Sequence, residues 1–314
     1  MLERRVLGQL GIKVTELCLG VLPMGPLQAD KPRGHCVQLI RMALDLGINF
    51  IDTAEVYGTQ EYVGEALHGY QGQVVVATKS NAATYDDMRA SVERSLQELG
   101  VNCIDIYHLH AARVTPEVFR EREGALECLK EFKARGQIRA IGVSTHVVGV
   151  VEAAARCDDI DVIFPIINTA GIGIVGGTRE DMVRAIETAA RAGKGLYAMK
   201  ALGGGHLADD PVEAFGFVRG IPGISAVAVG VVSEKELDVD YRIFTGQPVA
   251  GSETGRARKR LLVMSFCQAC GKCVEVCPNG ALSLGEDRAV VDPAKCILCG
   301  YCNPVCPQFA IRLI

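Results

Sequence analysis

Tryptophan is missing from these 314 residues, and that absence decides nothing. Other absences decide more. There is no excess of charge: 33 basic against 37 acidic side chains leave a formal charge of −4, which argues against a nucleic-acid surface. No apolar run reaches the length of a membrane-spanning helix. The opening residues, MLERRVLGQLGIKV, lack the apolar stretch of a secretion signal, so the expected compartment is the cytoplasm, where thiols stay reduced. Hydrophobic residues make up 49% of the chain, enough for a sizeable core. Cysteine is the residue in surplus: there are thirteen, and eight of them fall between Cys267 and Cys306.

Those eight form two runs. Cys267, Cys270, Cys273 and Cys277 precede Pro278; Cys296, Cys299, Cys302 and Cys306 precede Pro307. Each run reads C-x2-C-x2-C-x3-C-P, and the stretches CQACGKCVEVCPNGAL and CILCGYCNPVCPQFAI align as an internal repeat. Short spacers let one loop present three thiolates to a cuboidal cluster while a distant Cys supplies the fourth. A segment this small has little core of its own, so bound metal would hold it together. A pair of zinc sites and a disulfide scaffold are the alternatives; zinc requires no repeated C-P ending, and disulfides suit exported chains. The region resembles a bacterial-type ferredoxin domain with two [4Fe-4S] clusters. The resemblance implies that Cys267, Cys270, Cys273 and Cys306 hold one cluster and Cys277, Cys296, Cys299 and Cys302 the other.

Upstream the chain has a rhythm. Residues 4–7 and 12–14 flank Gln9-Leu10-Gly11 as a small hairpin. Eight apolar runs then follow, at 17–22, 48–51, 74–78, 104–109, 140–143, 162–166, 195–199 and 226–229. Amphipathic stretches alternate with them, at 35–46, 61–68, 86–99, 116–135, 147–156, 179–192, 211–219 and 234–243, with Gly47, Gly100, Gly136 and Gly193 as stops. Eight strand–helix units in about 240 residues fit a (β/α)8 TIM barrel, with a doubly wound open sheet as the alternative. The expected organisation is a barrel over residues 1–246, a linker with a short basic helix over 247–262 (the helix at 255–262), and a small α+β ferredoxin-like domain over 263–314.

In such a barrel, chemistry sits at the C-terminal ends of the strands. There the second run leads into Asp52 and Tyr57, the third ends in Lys79 and the fourth in His110. Charged groups at the ends of apolar strands are costly unless paired, and Asp52 can pair with Lys79. A free phenol has a pKa of about 10. A lysine cation beside Tyr57 is expected to lower it and make a general acid for a carbonyl oxygen, which His110 would orient. His108 is expected to lie deeper, in the core.

The stretches RRVLGQLGIKVTELCLG, GINFIDTAEVYG, VVVATK, DIYHLH, LKEFKARGQIRAIGVS and MKALGGG resemble the aldo-keto reductase family from about residue 4 to 243. That resemblance implies a catalytic tetrad of Asp52, Tyr57, Lys79 and His110, a small carbonyl or alcohol substrate, and NADP(H) or NAD(H) as hydride carrier. It places the nucleotide against Gly20, Asp52, Ser144, Thr145, Phe164, Met199, Lys200, Leu202, Gly203, Gly230 and Lys235. Several positions depart from the family pattern. Phe164 stands where Gln is usual, Met199 where an aromatic stacks on the nicotinamide, Thr145 where Asn is usual, and Asp240 where Asn faces the adenine; Lys235 is the nearest cation to a 2′-phosphate. The short loop 23–33 suggests an open pocket. Two functional readings follow. One is an iron–sulfur oxidoreductase whose clusters exchange electrons with a partner protein; the other is an electron-transfer or docking protein with the barrel as scaffold. A third role, clusters that only clamp the barrel, stays open.

Overall fold

Eight parallel strands close into a barrel in the computed structural model, which describes residues 2–250, 260–308 and 310–313. A hairpin of β1 (Arg4–Val6) and β2 (Lys13–Thr15) comes first, as expected. The barrel strands are β3 (Leu17–Gly20), β4 (Phe50–Asp52), β5 (Val75–Ser80), β6 (Ile104–Ala111), β7 (Ile138–Thr145), β8 (Val162–Pro165), β9 (Gly195–Met199) and β10 (Ile224–Gly230). They pair in chain order, and β10 closes the ring against β3. Strands buried on both faces read as continuous apolar runs, and β5 is buried at every position.

Helices α1 (Arg33–Asp45), α2 (Gln60–Leu67), α3 (Tyr85–Leu99), α4 (Val118–Glu121), α5 (Glu123–Ala134), α6 (Val148–Ala155), α7 (Arg179–Arg191), α8 (Pro211–Arg219) and α9 (Glu234–Phe244) return the chain between strands. Their ends follow local chemistry. Thr178 and Asp181 form a capping box at the start of α7, and Gly100 ends α3 in the left-handed region with φ 64°. One expected helix, 116–135, is two. Arg122 leaves helical geometry at φ −116°, ψ 33°, and its Nη1 donates to the His110 carbonyl at 3.1 Å. The break turns a cation inward onto the strand that carries His110.

The first hairpin plugs the N-terminal mouth of the barrel. Leu7, Ile12 and Val14 join Phe50, Ile106, Val162 and Tyr197 in one buried cluster. Each such side chain contributes roughly 1.5–3 kcal/mol by leaving water.

The C-terminal segment contains β11 (Leu261–Val263), α10 (Lys272–Glu275), β12 (Leu282–Leu284), β13 (Ala289–Val291) and β14 (Ile311–Leu313). Antiparallel pairs β11–β14 and β12–β13 give it two small sheets. The basic helix expected at 255–262 mostly lies outside the described residues, and its end is strand: Leu261 and Leu262 pair with Leu313 and Arg312. The ladder to β14 fixes this stretch, and the local basic composition could not reveal it.

This segment sits on the C-terminal end of the barrel. His206 Nε2 is 2.6 Å from the Cys296 carbonyl, and Asn303 Nδ2 donates to the Leu27 carbonyl at 3.3 Å. Two glycines make the approach possible. A Cβ on Gly204 would strike the Ile297 carbonyl, and one on Gly300 would strike the Leu27 carbonyl. The open pocket suggested by the short loop 23–33 is therefore corrected: the loop is covered by the chain around Gly300 and Tyr301.

Candidate active site

Four side chains meet at the strand ends. Lys79 Nζ donates to Asp52 Oδ1 at 2.7 Å and to the Thr53 carbonyl at 2.5 Å. Asp52 and Lys79 are 4% and 1% exposed, so the pair has left water almost completely. Burial pushes the carboxyl pKa up and the ammonium pKa down, and their mutual attraction opposes both shifts. Further partners hold the pair. Tyr197 donates its hydroxyl to Asp52 Oδ2 at 2.9 Å, and His108 Nε2 lies 2.7 Å from that hydroxyl. With the Tyr197 proton committed to Asp52, His108 is the donor, so its Nε2 carries the hydrogen. His108 is deep and fully buried, as expected, but it also forms the far end of this chain.

Tyr57 closes a short turn, Glu55–Tyr57, just after β4. Its hydroxyl-bearing ring lies 4.9 Å from the Lys79 ammonium and edge-on to His110 at 5.9 Å. The expected acidification is corrected here. Burial pushes the Tyr57 pKa well above its ordinary value, and Tyr301 and Asp52 push it further. The Lys79 charge is already taken by Asp52 and Thr53, so it does not dominate at the phenol. His110 is held neutral by burial and by the Lys79 charge.

Tyr57, Lys79, His110 and Ser144 border one small chamber with three groups outside the expected set: His146, Tyr301 and the thiol of Cys299. Tyr301 OH lies 3.2 Å from His110 Nε2. Burial pushes the His146 pKa down to about 3. Among the described residues, His110 Nδ1, Ser144 Oγ and His146 Nδ1 are buried without a partner. Sequence offered one signal for His146, its place directly after Ser144-Thr145 at the end of a strand. It offered none for Tyr301 or Tyr197.

Beside this chamber runs a cleft with an empty volume of about 950 Å³. Gly20, Asp52, Phe164, Met199, Lys200, Leu202 and Gly230 line it together with Tyr57. Phe164 stacks on Tyr197 with ring centroids 3.9 Å apart. The remaining expected contacts fall elsewhere. Ser144 faces the chamber, Thr145 is buried with Oγ1 accepting from the Val147 amide at 3.1 Å, Gly203 rests against Ile172 and Leu207, and Lys235 is exposed at the start of α9. Asp240 is buried. Glu236, which sequence reasoning passed over, lines the cleft and accepts from the Val232 amide at 2.7 Å.

The eight clustered thiols divide into two groups. Cys277, Cys296, Cys299 and Cys302 border one cavity. Cys273 has Cys267, Cys270 and Cys306 as its charge neighbours. Backbone amides of Ala281 and Ala310 donate to the sulfurs of Cys277 and Cys306, each at 3.2 Å. No disulfide joins any cysteine among the described residues. Nor do three or more His, Cys, Asp or Glu side chains there converge on a single ion-sized point. Thiols that rim a cavity suit a polynuclear cluster; a zinc site draws four ligands to one centre.

A parallel eight-stranded barrel with Asp, Tyr, Lys and His gathered at its C-terminal rim defines the class as a (β/α)8 protein with a buried phenol at that rim. The chain belongs to the aldo/keto reductase family, which its residues 16–216 match, and it carries a 4Fe-4S dicluster domain matched at residues 266–310. It is similar to aldo-keto reductase YhdN of Bacillus subtilis, 33% identical over 163 residues that cover 47% of this chain and 48% of that one. It is similar also to L-galactose dehydrogenase of Arabidopsis thaliana, 30% identical over 157 residues that cover 46% and 48%. The chain thus spans about half the length of these curated relatives. A Pseudomonas aeruginosa crystal structure assigned to the aldo-keto reductases superposes with a TM-score of 0.66 at 28% identity, covering 77% of this chain and 94% of that one. No described helix is long and apolar enough to cross a membrane.

Proposed function

We propose that the chain is an oxidoreductase that reduces a carbonyl compound to an alcohol, or runs the reverse oxidation, and that its clusters exchange electrons with a partner protein. One observation carries this reading: Tyr57, Lys79 and His110 border the same chamber as Cys299. Tyr57 gives the proton to the carbonyl oxygen. Its raised pKa keeps it a phenol at neutral pH, ready to donate. Lys79, 4.9 Å from the ring, stabilises the phenolate left behind, and Asp52 fixes the lysine. Neutral His110 orients the oxygen through Nε2.

A nicotinamide dinucleotide bound in the cleft would supply the hydride. Gly20, Phe164, Met199, Lys200, Leu202 and Gly230 would hold it, and the Glu236 carboxylate favours NAD(H) by repelling a 2′-phosphate. Ser144 would steady the amide end from the side of the chamber, and Gly203 would shape the phosphate loop. The two sets of four cysteines would hold two [4Fe-4S] clusters, which supply one-electron transfer. A cytoplasmic setting, with its reduced thiols, fits such centres. The test uses anaerobically purified, cluster-loaded protein with a panel of carbonyl compounds and NADH. Tyr57→Phe should abolish reduction while NADH binding persists. Unchanged turnover in that variant would favour the scaffold reading, in which only the clusters are active.

A further inference from the structure

The nitrogen that would hold a carbonyl oxygen already faces an oxygen the protein supplies itself. Tyr301 OH lies 3.2 Å from His110 Nε2, and Tyr301 borders the same chamber as Tyr57. Its ring stands edge-on to His110, with centroids 6.3 Å apart, and packs among Leu22, Leu27, Ala54 and Tyr57. A filler of this gap between the two parts of the chain needs only an apolar ring. A phenol adds a hydroxyl that is costly to bury without a partner, and here its partner is His110 of the reaction centre.

Tyr301 belongs to the loop between Cys299 and Cys302. The backbone on either side of Cys299 is left-handed, with φ 52° at Leu298 and 84° at Gly300. Asn303 donates to the Leu27 carbonyl at 3.3 Å and fastens the other end of the loop to the barrel. The oxygen therefore reaches the reaction centre on a segment whose neighbours are thiols of the second set.

We propose that Tyr301 is a built-in stand-in for the substrate oxygen, so a carbonyl compound reaches Tyr57 and His110 only when the loop between Cys299 and Cys302 withdraws. This rests on the role given above to Tyr57 and His110. Admission of substrate and the surroundings of the second cysteine set are then two ends of one equilibrium. Linkage requires that whatever opens the loop tightens ligand binding, and that ligand binding alters the loop in return.

The experiment uses the full, cluster-loaded chain under anaerobic conditions, with benzoate as the probe because its carboxylate imitates a carbonyl oxygen. Calorimetry compares the wild-type chain with Tyr301→Phe, which keeps the ring and loses the oxygen, and with Tyr301→Ala, which opens the gap. Freed from competition, the pair Tyr57–His110 should bind benzoate about tenfold more tightly in both variants. Saturating benzoate should also change the electron paramagnetic resonance spectrum of the reduced wild-type protein. Equal benzoate affinity in all three proteins would overturn the proposal, as would a benzoate complex in which Tyr301 still contacts His110. Failure of the oxidoreductase reading is seen separately, as unchanged carbonyl reduction in Tyr57→Phe.

Discussion

Replacing Asp52 with Asn should damage the fold as well as the chemistry. The carboxylate is 4% exposed, and it receives Lys79 at 2.7 Å and Tyr197 at 2.9 Å. The amide keeps the shape and removes the charge, so an ammonium 1% exposed is left with neutral carbonyl oxygens only. Breaking one side of a buried pair costs about 3–5 kcal/mol, because an uncompensated charge stays behind. In a chain of this size that corresponds to a loss on the order of 10 °C in melting temperature. The double variant Asp52→Asn/Lys79→Met removes the stranded charge and should recover most of the loss. Guanidinium denaturation of the anaerobic protein, followed by far-ultraviolet circular dichroism, measures both. A single variant that loses less than about 1 kcal/mol, or a double variant as unstable as the single, would refute the argument that charge pairing holds this site.

Three further outcomes are expected. His108, His110 and His146 are all pushed down by burial, His146 to about 3, so the unfolded chain binds more protons than the folded one below about 6.5. Stability should therefore fall as pH drops from about 6.5 toward 3, and flat stability across that range, read from denaturation midpoints at successive pH values, would contradict neutral buried imidazoles. Gly204→Ala should weaken the seat of the C-terminal segment on the barrel through its clash with the Ile297 carbonyl; limited proteolysis should cut the linker region faster, and an unchanged rate would count against that contact. Glu236→Gln should raise NADPH affinity relative to NADH by about tenfold, measured by fluorescence titration, and an unchanged ratio would remove the carboxylate from the cleft's selectivity.

The barrel was legible because each strand is a short apolar run buried on both faces, and β9 and α8 fall on their expected bounds. The meeting of Asp52 and Lys79 was legible for a related reason: polar residues directly after such runs must lie at the rim. What was hidden depends on contacts distant in sequence. Tyr301 meets His110 across 191 residues, and no local period encodes that meeting. Tyr197 reads as an ordinary strand residue until β9 brings it beside Asp52. The break at Arg122 was hidden because both halves of 116–135 are good helix, and only the His110 carbonyl explains the turn. The direction of the Tyr57 shift could not be read either, since it depends on how deeply the phenol is buried and on what Lys79 already holds.

The chamber at the barrel rim and the second set of cysteines are neighbours in one electrostatic site. Lys200 lies at their junction: it lines both the cleft and the chamber, and Cys299 and Cys296 are its nearest thiol neighbours. The decisive measurement is a redox titration of the reconstituted protein, followed by electron paramagnetic resonance, in wild type and Lys200→Met. A nearby cation favours the more negative, reduced state, so its loss should lower the midpoint potential of one cluster by tens of millivolts, on the order expected for a unit charge at this range, and leave the other unmoved. Two clusters with unchanged potentials would contradict the account.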